Sequence, residues 1–298
     1  MNLREVGEDR LLDKLLPKLL RNRRVIVGAG DDCAIVKSPG RGKLQVLKTD
    51  CLVENIHFTR KSPPDWVGWK AMARPLSDFA AMSAVPEFAL VTLIVPSRTT
   101  LTWVKNVYRG IDKAARAFQV AVVGGETSDI TGPAVISIDI AGFVEPKRWV
   151  GRAGGKPNDD LFVTGRLGGS LGGRHLRFVP RIAEARWLTE NFRLHAMMDL
   201  SDGLGADLPR LARASGVGFE LDEAALPLNP GCTRKQALAD GEDYELLFAI
   251  APKHSRALMN RWRKKFPNLP LTPIGRLIRK SKIEDRKFPR GYVHFQKR

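Results

Sequence analysis

The sequence MMDLSDGLGADLPRL, residues 197–211, connects a short apolar run to a helical pattern through an acidic turn. Its methionines indicate a buried strand, and its spaced leucines, at 204, 208 and 211, recur as they would on one face of a helix. Asp199 and Asp202 lie between these two elements, on either side of Ser201. Strand and helix patterns of this kind mix in both halves of the chain, which favours an α/β or α+β fold over an all-helical one.

The other hydrophobic patterns predict further strands and helices. In the first half we expect strands at 25–28, 44–49, 91–95, 120–123 and 134–144, and helices at 64–79 and 101–118. In the second half we expect strands at 161–164, 197–198, 218–221, 244–250 and 272–277. Pro17 and Pro75 should each interrupt a helix, Asp50 should close its strand, and the strand at 120–123 should be buried.

A linker is predicted near the middle of the chain. The segment from Lys147 to Asp159 is rich in Gly, Arg, Lys and Pro and has no hydrophobic periodicity. A chain of 298 residues has room for two domains of about 150 residues each. We therefore expect an N-terminal domain at residues 1–148 and a C-terminal domain at residues 149–298.

The composition excludes several classes of protein. Hydrophobic residues make up 43% of the chain and charged residues 27%, as in globular proteins and unlike disordered or fibrous ones. No apolar run approaches the roughly 18 residues that cross a bilayer, and no apolar segment follows the charged start, so we expect a cytoplasmic protein without membrane contact. Cys33, Cys51 and Cys232 lack paired spacing, which argues against disulfides and a structural zinc site.

The net charge of +17 is concentrated at one end of the chain. Residues 251–298 contain 15 basic and 2 acidic side chains, a net charge of +13, which leaves only +4 for the first 250 residues. Basic segments at 261–265 and 276–287 are interleaved with aromatic residues that could contact RNA. We interpret this segment as a solvated basic face and do not expect nucleic acid to be the partner.

Acidic residues occur at six notable places along the chain, most of them at the end of a predicted strand or in a turn. These residues are Asp31 and Asp32, Asp50, Asp78, Glu126, Asp199 and Asp202, and Glu242 and Asp243. If several of them converge, their repulsion has to be neutralised by cations, and ligands that are all oxygen select Mg²⁺ or a similar hard ion. Mg²⁺ held by a few carboxylates is typical of phosphoryl-transfer sites. A single Asp beside Gly would indicate no more than a turn.

Glycine-rich turns could supply the backbone N–H groups that bind phosphate. Gly124 and Gly125 follow an apolar strand, and a second glycine-rich run extends over residues 165–173. The chain has no P-loop and no Gly-x-Gly-x-x-Gly motif, so any nucleotide must be bound in another way. The Gly-x-Ser-x-Gly pattern at 168–172 is explained by chance in this run, and the five histidines lack the spacing of zinc ligands.

Six motifs, taken together, resemble the thiamine-monophosphate kinase family, and the resemblance extends from about residue 5 to about residue 295. The motifs are GDDC at 30–33, TDCLVENIHF at 49–58, LSDFAAM at 76–82, GGETS at 124–128, DLSDGL at 199–204 and GEDYELLF at 241–248. This family is related to aminoimidazole ribonucleotide synthetase, selenophosphate synthetase and a hydrogenase maturation protein. The resemblance implies the two-domain fold of that superfamily, with an N-terminal α+β domain whose strands form a barrel across a homodimer and a C-terminal α/β domain.

The resemblance also implies an activity, which is direct in-line transfer of the γ-phosphoryl group of ATP to thiamine monophosphate, giving thiamine diphosphate and ADP. Asp50, Asp199 and Asp202 would be catalytic, with more than one Mg²⁺ ion. The implied metal ligands are Asp32, Thr49, Asp50, Asp78, Glu126, Asp199 and Asp202. The implied ATP contacts are Gly125, Glu126, Arg152 and Ser201, and the implied substrate contacts are His57, Glu242 and Phe288. The accepting phosphate has a second pKa of about 6 and is largely ionised at pH 7, so no strong general base is required.

The chain departs from the family pattern at several positions. Glu126 stands where the family usually has Asp, and Lys48 stands where it has Ser or Thr, which removes a minor ligand. The family's Val-Asn before Leu-Ser-Asp is replaced by Arg74 and Pro75. Phe288 is found where the family places a Trp against the ring of the substrate, so this departure concerns the choice of substrate rather than the binding of ATP.

Two other functions stay open at this point. One is an ATP-dependent reaction of the same superfamily with a different acceptor, if the region of Phe288 cannot hold the thiazolium and pyrimidine rings. The other is a non-catalytic, RNA-associated protein that uses the basic C-terminal segment, with the acidic motifs serving only as turns. RNA binding of this kind would be sensitive to salt.

Overall fold

Two β-sheets with helices packed against them form the part of the chain described by the structure, a computed structural model that covers residues 2–20, 22–38 and 42–280. The first sheet has six strands and the second has five. The segment between them, residues 145–159, contains neither helix nor strand. It includes the whole of the stretch from Lys147 to Asp159, whose composition is typical of a linker.

The first sheet is built from residues 25–144. Its strands are β1 (Val25–Val27), β2 (Ala34–Lys37), β3 (Leu44–Val53), β4 (Val85–Val95), β5 (Ala121–Asp129) and β6 (Val135–Val144). They lie in the order β1-β2-β3-β6-β4-β5, and every pair is antiparallel except β4 with β5, which is parallel. Within the described residues this sheet does not close into a barrel, because β1 and β5 are both edge strands.

The second sheet is built from residues 160–278, and all of its strand pairs are antiparallel. Its strands are β7 (Asp160–Thr164), β8 (Leu194–Asp199), β9 (Gly218–Leu221), β10 (Leu246–Ile250) and β11 (Leu271–Ile278). They lie in the order β8-β10-β7-β11-β9. The central strands β7 and β10 are almost continuously buried, as expected for strands covered on both faces.

Helices cover both sheets. They are α1 (Leu3–Val6), α2 (Glu8–Leu15), α3 (Pro64–Ala81), α4 (Leu101–Ala117), α5 (Ile182–Asn191), α6 (Leu204–Ser215), α7 (Arg234–Ala239) and α8 (Pro252–Lys265). Helix α2 gives way to a single 3₁₀ turn at Leu16–Lys18, which confirms the predicted interruption at Pro17. Among the described residues, none of the helices combines the length and apolar character needed to span a bilayer.

Helix α3 contacts both sheets and therefore holds the two halves of the molecule together. It packs against β3, β4 and β6 of the first sheet and against β8 of the second. Most of its residues are buried, including Pro75. The prediction that Pro75 would interrupt the helix was wrong, because α3 continues to Ala81. Burial on both sides of the helix outweighs the local cost of the missing N–H group.

Two strands also differ from the sequence prediction. Strand β3 does not end at Asp50 but continues to Val53, paired with β6 along its whole length. The strand expected to be buried at 120–123 overlaps β5, whose nine residues, Ala121–Asp129, are all exposed, although Val120 just before it is buried. An apolar strand has the same local pattern whether the rest of the chain covers it or leaves it exposed, so the sequence could not distinguish the two.

Two glycines allow α3 and α4 to approach each other closely. A Cβ atom added at Gly68 would lie 1.9 Å from the carbonyl oxygen of Val107, and one added at Gly110 would lie 1.9 Å from that of Asp65. Both obstructing atoms belong to the backbone, so neither can move aside alone. The helix pair therefore depends on the absence of a side chain at these two positions.

We predict that Gly110→Ala lowers the free energy of unfolding by about 2 to 4 kcal/mol, because the helices must separate to admit the methyl group. The sign of this change is informative, because replacing glycine by alanine in a helix interior would otherwise stabilise the protein by up to about 1 kcal/mol. Urea unfolding followed by circular dichroism measures the change. Gly132→Ala is the control, because its Cβ would meet only ordinary contacts at 3.9 Å. Equal stability of both variants would contradict the close approach.

Candidate active site

A cleft of about 290 Å³ lies where the two sheets meet, and it contains most of the acidic residues singled out in the sequence. One wall comes from β3 and α3, and the other from the segment that follows β8 together with α6. The charged and hydroxyl side chains in its lining include Asp31, Lys48, Asp50, Arg74, Asp78, Arg152, Asp199, Ser201, Asp202, Arg210 and Tyr244.

Three buried aspartates meet at this cleft. Asp32 comes from the turn before β2, Asp78 from the last turn of α3 and Asp199 from the end of β8. Each offers a carboxylate oxygen, and these oxygens lie within 4.8 Å of one another. The three side chains come from distant parts of the sequence, and the packing of α3 against both sheets brings them together.

The surroundings of this cluster favour a bound cation. Burial raises the pKa of Asp199 to about 7, with a further contribution from the charge of Asp32. Burial also raises the pKa of Asp78 well above its ordinary value. The Ser77 hydroxyl donates to Asp199 Oδ2 at 2.6 Å, whereas the buried Asp32 Oδ2 has no hydrogen-bond partner. An unsatisfied carboxylate oxygen beside two further carboxylates fits a hard divalent ion that takes oxygen ligands.

Four basic side chains reach the same cleft, and each is paired with an aspartate. Lys48 Nζ lies 2.9 Å from Asp78 Oδ1, and the Arg74 guanidinium lies 3.2 Å from Asp50 Oδ1. The other two pairs are Arg152 with Asp32, and Arg210 with both Asp202 and Asp207. Sequence reasoning did not assign Arg74 or Arg210 to the cleft, and it interpreted Lys48 only as the loss of a minor ligand. Only Arg210 had a local signal, since it lies three residues after Asp207 on one face of a helix.

A buried lysine connects the two proposed substrate contacts that the structure describes. Lys70 on α3 is fully buried, and its ammonium group donates to the carboxylate of Glu242 at 2.7 and 2.8 Å. The same group donates to the backbone carbonyl of His57 at 2.8 Å. Burial lowers the pKa of Lys70 to about 8, although the charge of Glu242 opposes that shift. Sequence reasoning missed Lys70, because Glu242 is 172 residues away along the chain.

The turn after Gly241 has an unusual backbone. Glu242 and Tyr244 both have a φ of +53°, a backbone conformation that residues other than glycine rarely adopt. Their N–H groups donate to the carbonyls of Ser201 and Leu200, which fixes the turn beside the cleft. The Tyr244 ring stacks on Phe178 with centroids 3.8 Å apart.

A second cavity, of about 350 Å³, adjoins this turn. Its lining includes Glu242 and Phe178, together with four arginines. The arginines are Arg166, Arg174, Arg177 and Arg181. The cavity therefore offers room for a second ligand group directly beside Glu242.

The structure brings together most of the site residues that the sequence indicated. Asp32, Asp50, Asp78, Arg152, Asp199, Ser201 and Asp202 all contribute to the cleft or its buried cluster. Thr49 does not, because neighbouring residues of a strand point to opposite faces. Its exposed hydroxyl lies 3.5 Å from that of Ser137, on the other side of β3 from Asp50. Phe288 lies outside the described residues.

Gly125 and Glu126 are also separated from the cluster within one chain. Both lie on the exposed strand β5, and β6 and β4 separate that strand from β3. With strands about 4.8 Å apart, Gly125 lies roughly 14 Å from Asp50 across the sheet. The described chain therefore does not place Glu126 beside the other proposed metal ligands.

Comparisons with known proteins agree on one family. The family model described as AIR synthase related protein, N-terminal domain, matches residues 30–144, and that for the C-terminal domain matches residues 147–285. The thiamine-monophosphate kinase of Rhodopirellula baltica is 39% identical, covering 91% of this chain and 92% of the relative. That of Bacillus subtilis is 32% identical, with 91% of both chains covered. The solved structure of AaThiL complexed with AMPPCP and TMP has a TM-score of 0.83 at 33% identity, and the match covers 99% of both chains.

We predict that the metal-free protein loses stability as pH rises from about 4 to about 7, and that Asp199→Asn reduces this loss. Folding raises the pKa of Asp199 from 3.8 to about 7, so the native state retains a proton that the unfolded chain releases. The stability of the variant relative to the parent should increase over this window by on the order of 2 to 4 kcal/mol. Urea unfolding in EDTA between pH 4 and pH 8 measures it, with saturating Mg²⁺ as the control. Parallel pH profiles for the two proteins would contradict the assignment.

Proposed function

Because this chain belongs to the thiamine-monophosphate kinase family of AIR synthase related proteins, we propose that it transfers the γ-phosphoryl group of ATP to thiamine monophosphate. The phosphate oxygen of thiamine monophosphate forms the new bond to the γ-phosphorus, and the bond from that phosphorus to the β-phosphate bridging oxygen of ATP breaks. The products are thiamine diphosphate and ADP. The observation that carries this proposal is the buried cluster of Asp32, Asp78 and Asp199, with its unsatisfied oxygen.

The proposed cofactor is Mg²⁺. Asp32, Asp78 and Asp199 would hold it, with Asp50 and Asp202 at the edges of the same cleft as further ligands. Bound there, Mg²⁺ would neutralise the charge of the phosphates. Donors that are all oxygen suit this ion better than a softer metal. More than one ion is part of the proposal, since the cleft contains more aspartates than the three of the cluster.

The residues of the cleft suit a reaction that needs charge neutralisation and positioning rather than a base. The accepting phosphate is largely ionised at pH 7, so it can attack without first losing a proton to the protein. The described lining of the cleft contains no histidine. Arg152 brings a positive charge to the cleft, and Asp32 holds its guanidinium at 2.5 Å. A fixed guanidinium can bind phosphate oxygens through two donors at once, which orients the phosphates for in-line transfer.

The cavity beside Glu242 is the proposed site for the rings of thiamine monophosphate. The thiazolium ring is a cation, so the carboxylate of Glu242 is a suitable neighbour for it. Lys70 fixes that carboxylate and the backbone of His57 with the same ammonium group. The stacked pair Phe178 and Tyr244 offers an aromatic surface in the same region. Phe288 stays a predicted contact with the rings, outside the described residues.

We also propose a homodimer in which β5 of one chain covers the first sheet of the other, so that the strands form a barrel across the interface. The support is that β5 is a fully exposed edge strand with apolar residues at its start. In such a dimer Gly125 and Glu126 would serve the cluster of the partner chain. Residues 1–148 would then form the dimerisation and ATP-binding domain, and residues 149–298 the second domain.

We predict that the parent protein forms thiamine diphosphate from thiamine monophosphate, ATP and Mg²⁺, and that Asp199→Asn lowers kcat at least about 100-fold. Removing a carboxylate of the cluster removes charge that holds the metal, whereas the amide can still accept from Ser77. Chromatographic separation of thiamine diphosphate measures the product. Asp112→Asn, on the exposed side of α4, is the matched control and should keep full activity. Turnover retained in Asp199→Asn would contradict the role of the cluster.

We predict that mixing inactive Glu126→Gln subunits with inactive Asp199→Asn subunits restores about a quarter of the parental activity. Random exchange makes half of the dimers mixed, and each mixed dimer has one intact site out of two. This result requires Glu126 of one chain to serve the cluster of the other. Subunits are exchanged under mild denaturant and assayed for thiamine diphosphate, and light scattering confirms the mass. A mixture of Asp199→Asn with Asp32→Asn is the control and should stay inactive, since both residues belong to one cluster. No recovery in the first mixture would exclude sharing.

A further inference from the structure

Two basic side chains, Lys48 and Arg74, lie on the carboxylate wall of the cleft. Lys48 and Asp50 are two residues apart on β3 and therefore share one face of the strand, next to the buried Leu52. Arg74 lies on α3, one turn before Asp78. Both side chains line the cleft, and they are 23% and 15% exposed.

Each of these cations is bound to a carboxylate proposed as a metal ligand. Lys48 Nζ lies 2.9 Å from Asp78 Oδ1, and the Arg74 guanidinium lies 3.2 Å from Asp50 Oδ1. Arg74 is anchored further, because its Nη1 donates to the carbonyl of Cys51 at 2.7 Å. Both side chains therefore remain charged at neutral pH.

The opposite side of the cluster is neutralised only in part, because Asp32 is paired with Arg152 but Asp199 is not paired with a basic side chain. Asp199 accepts a hydrogen bond from the Ser77 hydroxyl, and within the described chain no basic side chain forms an ion pair with it. Asp32 Oδ2 is buried without a hydrogen-bond partner, although Asp32 Oδ1 binds Arg152. Built-in cations therefore partner Asp50, Asp78 and one oxygen of Asp32, whereas Asp199 and the second oxygen of Asp32 are left for a metal ion.

The positive charges of Lys48 and Arg74 together equal the charge of one divalent ion. An ammonium and a guanidinium together supply two positive charges, which is the charge of one Mg²⁺. Lys48 supplies one of these charges beside Asp78, and Arg74 supplies the other beside Asp50. Neutral side chains there would leave Asp50 and Asp78 without these partners in a partly buried cleft, and such carboxylates bind a metal or take up protons.

We propose that Lys48 and Arg74 are built-in counter-ions that take the place of one divalent cation on the Asp50 and Asp78 side of the cleft. The site then binds one fewer divalent ion together with its nucleotide than it would with neutral residues at these positions. The inference rests on the proposed function, because the ions in question are those that accompany ATP. Lys48 and Arg74 are positioning residues in this proposal, since they act on Asp78 and Asp50 rather than on a reacting atom.

The test counts bound Mn²⁺ in the presence of a non-hydrolysable ATP analogue, using the electron paramagnetic resonance signal of free Mn²⁺. The parent, Lys48→Thr, Arg74→Val and the double variant are titrated side by side. We expect the double variant to bind one more Mn²⁺ per chain than the parent. Lys37→Thr is the matched control, because Lys37 is exposed on β2 and its replacement removes the same charge away from the cleft. The control should bind the parental number of ions.

A second readout does not require nucleotide. Without the built-in cations, the carboxylates near Asp50 repel each other, so Mn²⁺ should raise the melting temperature of the double variant more than that of the parent. If the double variant fails to fold in EDTA, recovery of the fold on adding Mn²⁺ supports the proposal. If the double variant does not fold under either condition, Mn²⁺ binding is measured for Arg74→Val and for Lys48→Met separately. We expect the weakest Mn²⁺ site of each single variant to bind the ion at least tenfold more tightly than the weakest site of the parent does.

Two results would overturn the proposal. The first is an equal Mn²⁺ count and equal affinity in the parent and all variants. The second is weaker binding of the ATP analogue by Lys48→Thr or Arg74→Val with no gain of Mn²⁺, which would make these residues direct phosphate ligands. Neither measurement depends on thiamine monophosphate. A parent protein that binds Mn²⁺ with the analogue but forms no thiamine diphosphate would therefore contradict the proposed function and leave the count valid.

Discussion

The burial of several carboxylates at one place is the constraint on which the structure of the cleft depends. Three aspartates with oxygens within 4.8 Å of one another cannot all ionise in a buried setting without cations. The chain holds them there through α3, which packs against both sheets and carries Ser77 and Asp78. The packing energy of this helix therefore offsets the repulsion of the cluster, and the same helix positions Lys70 and Arg74.

This arrangement explains how the proposed reaction can proceed without a strong base. Transfer between two phosphates requires that negative charges approach each other, and the main task of the protein is to neutralise and orient them. In this cleft four basic side chains are each bound to an aspartate, so their positions are fixed before any ligand arrives. Preorganised charges of this kind need little rearrangement at the moment of reaction. The strained turn at Glu242 and Tyr244 likewise fixes the position of a charged side chain, that of Glu242, beside the proposed site of the rings.

Many elements could be predicted from the sequence because their patterns are local. The spacing of leucines predicted α6, and the strand at 218–221 has the predicted bounds. The errors arose where long-range packing outweighed local propensity. Pro75 lies inside a continuous helix because α3 is enclosed by its neighbours, and β5 is exposed although its apolar start is typical of a buried strand.

The sequence by itself determined which chemistry is possible, because the residue types in its motifs fix it: carboxylates for a hard metal ion, and glycine turns for phosphate. It also determined the family, through motifs whose order along the chain is specific. Only the tertiary structure decided which residues meet. Lys70 reaches Glu242 across 172 residues, and Thr49 faces away from Asp50 although the two are adjacent in the chain. The reason is physical: contacts between distant segments follow from how helices and sheets pack, and no local pattern of the sequence encodes that packing.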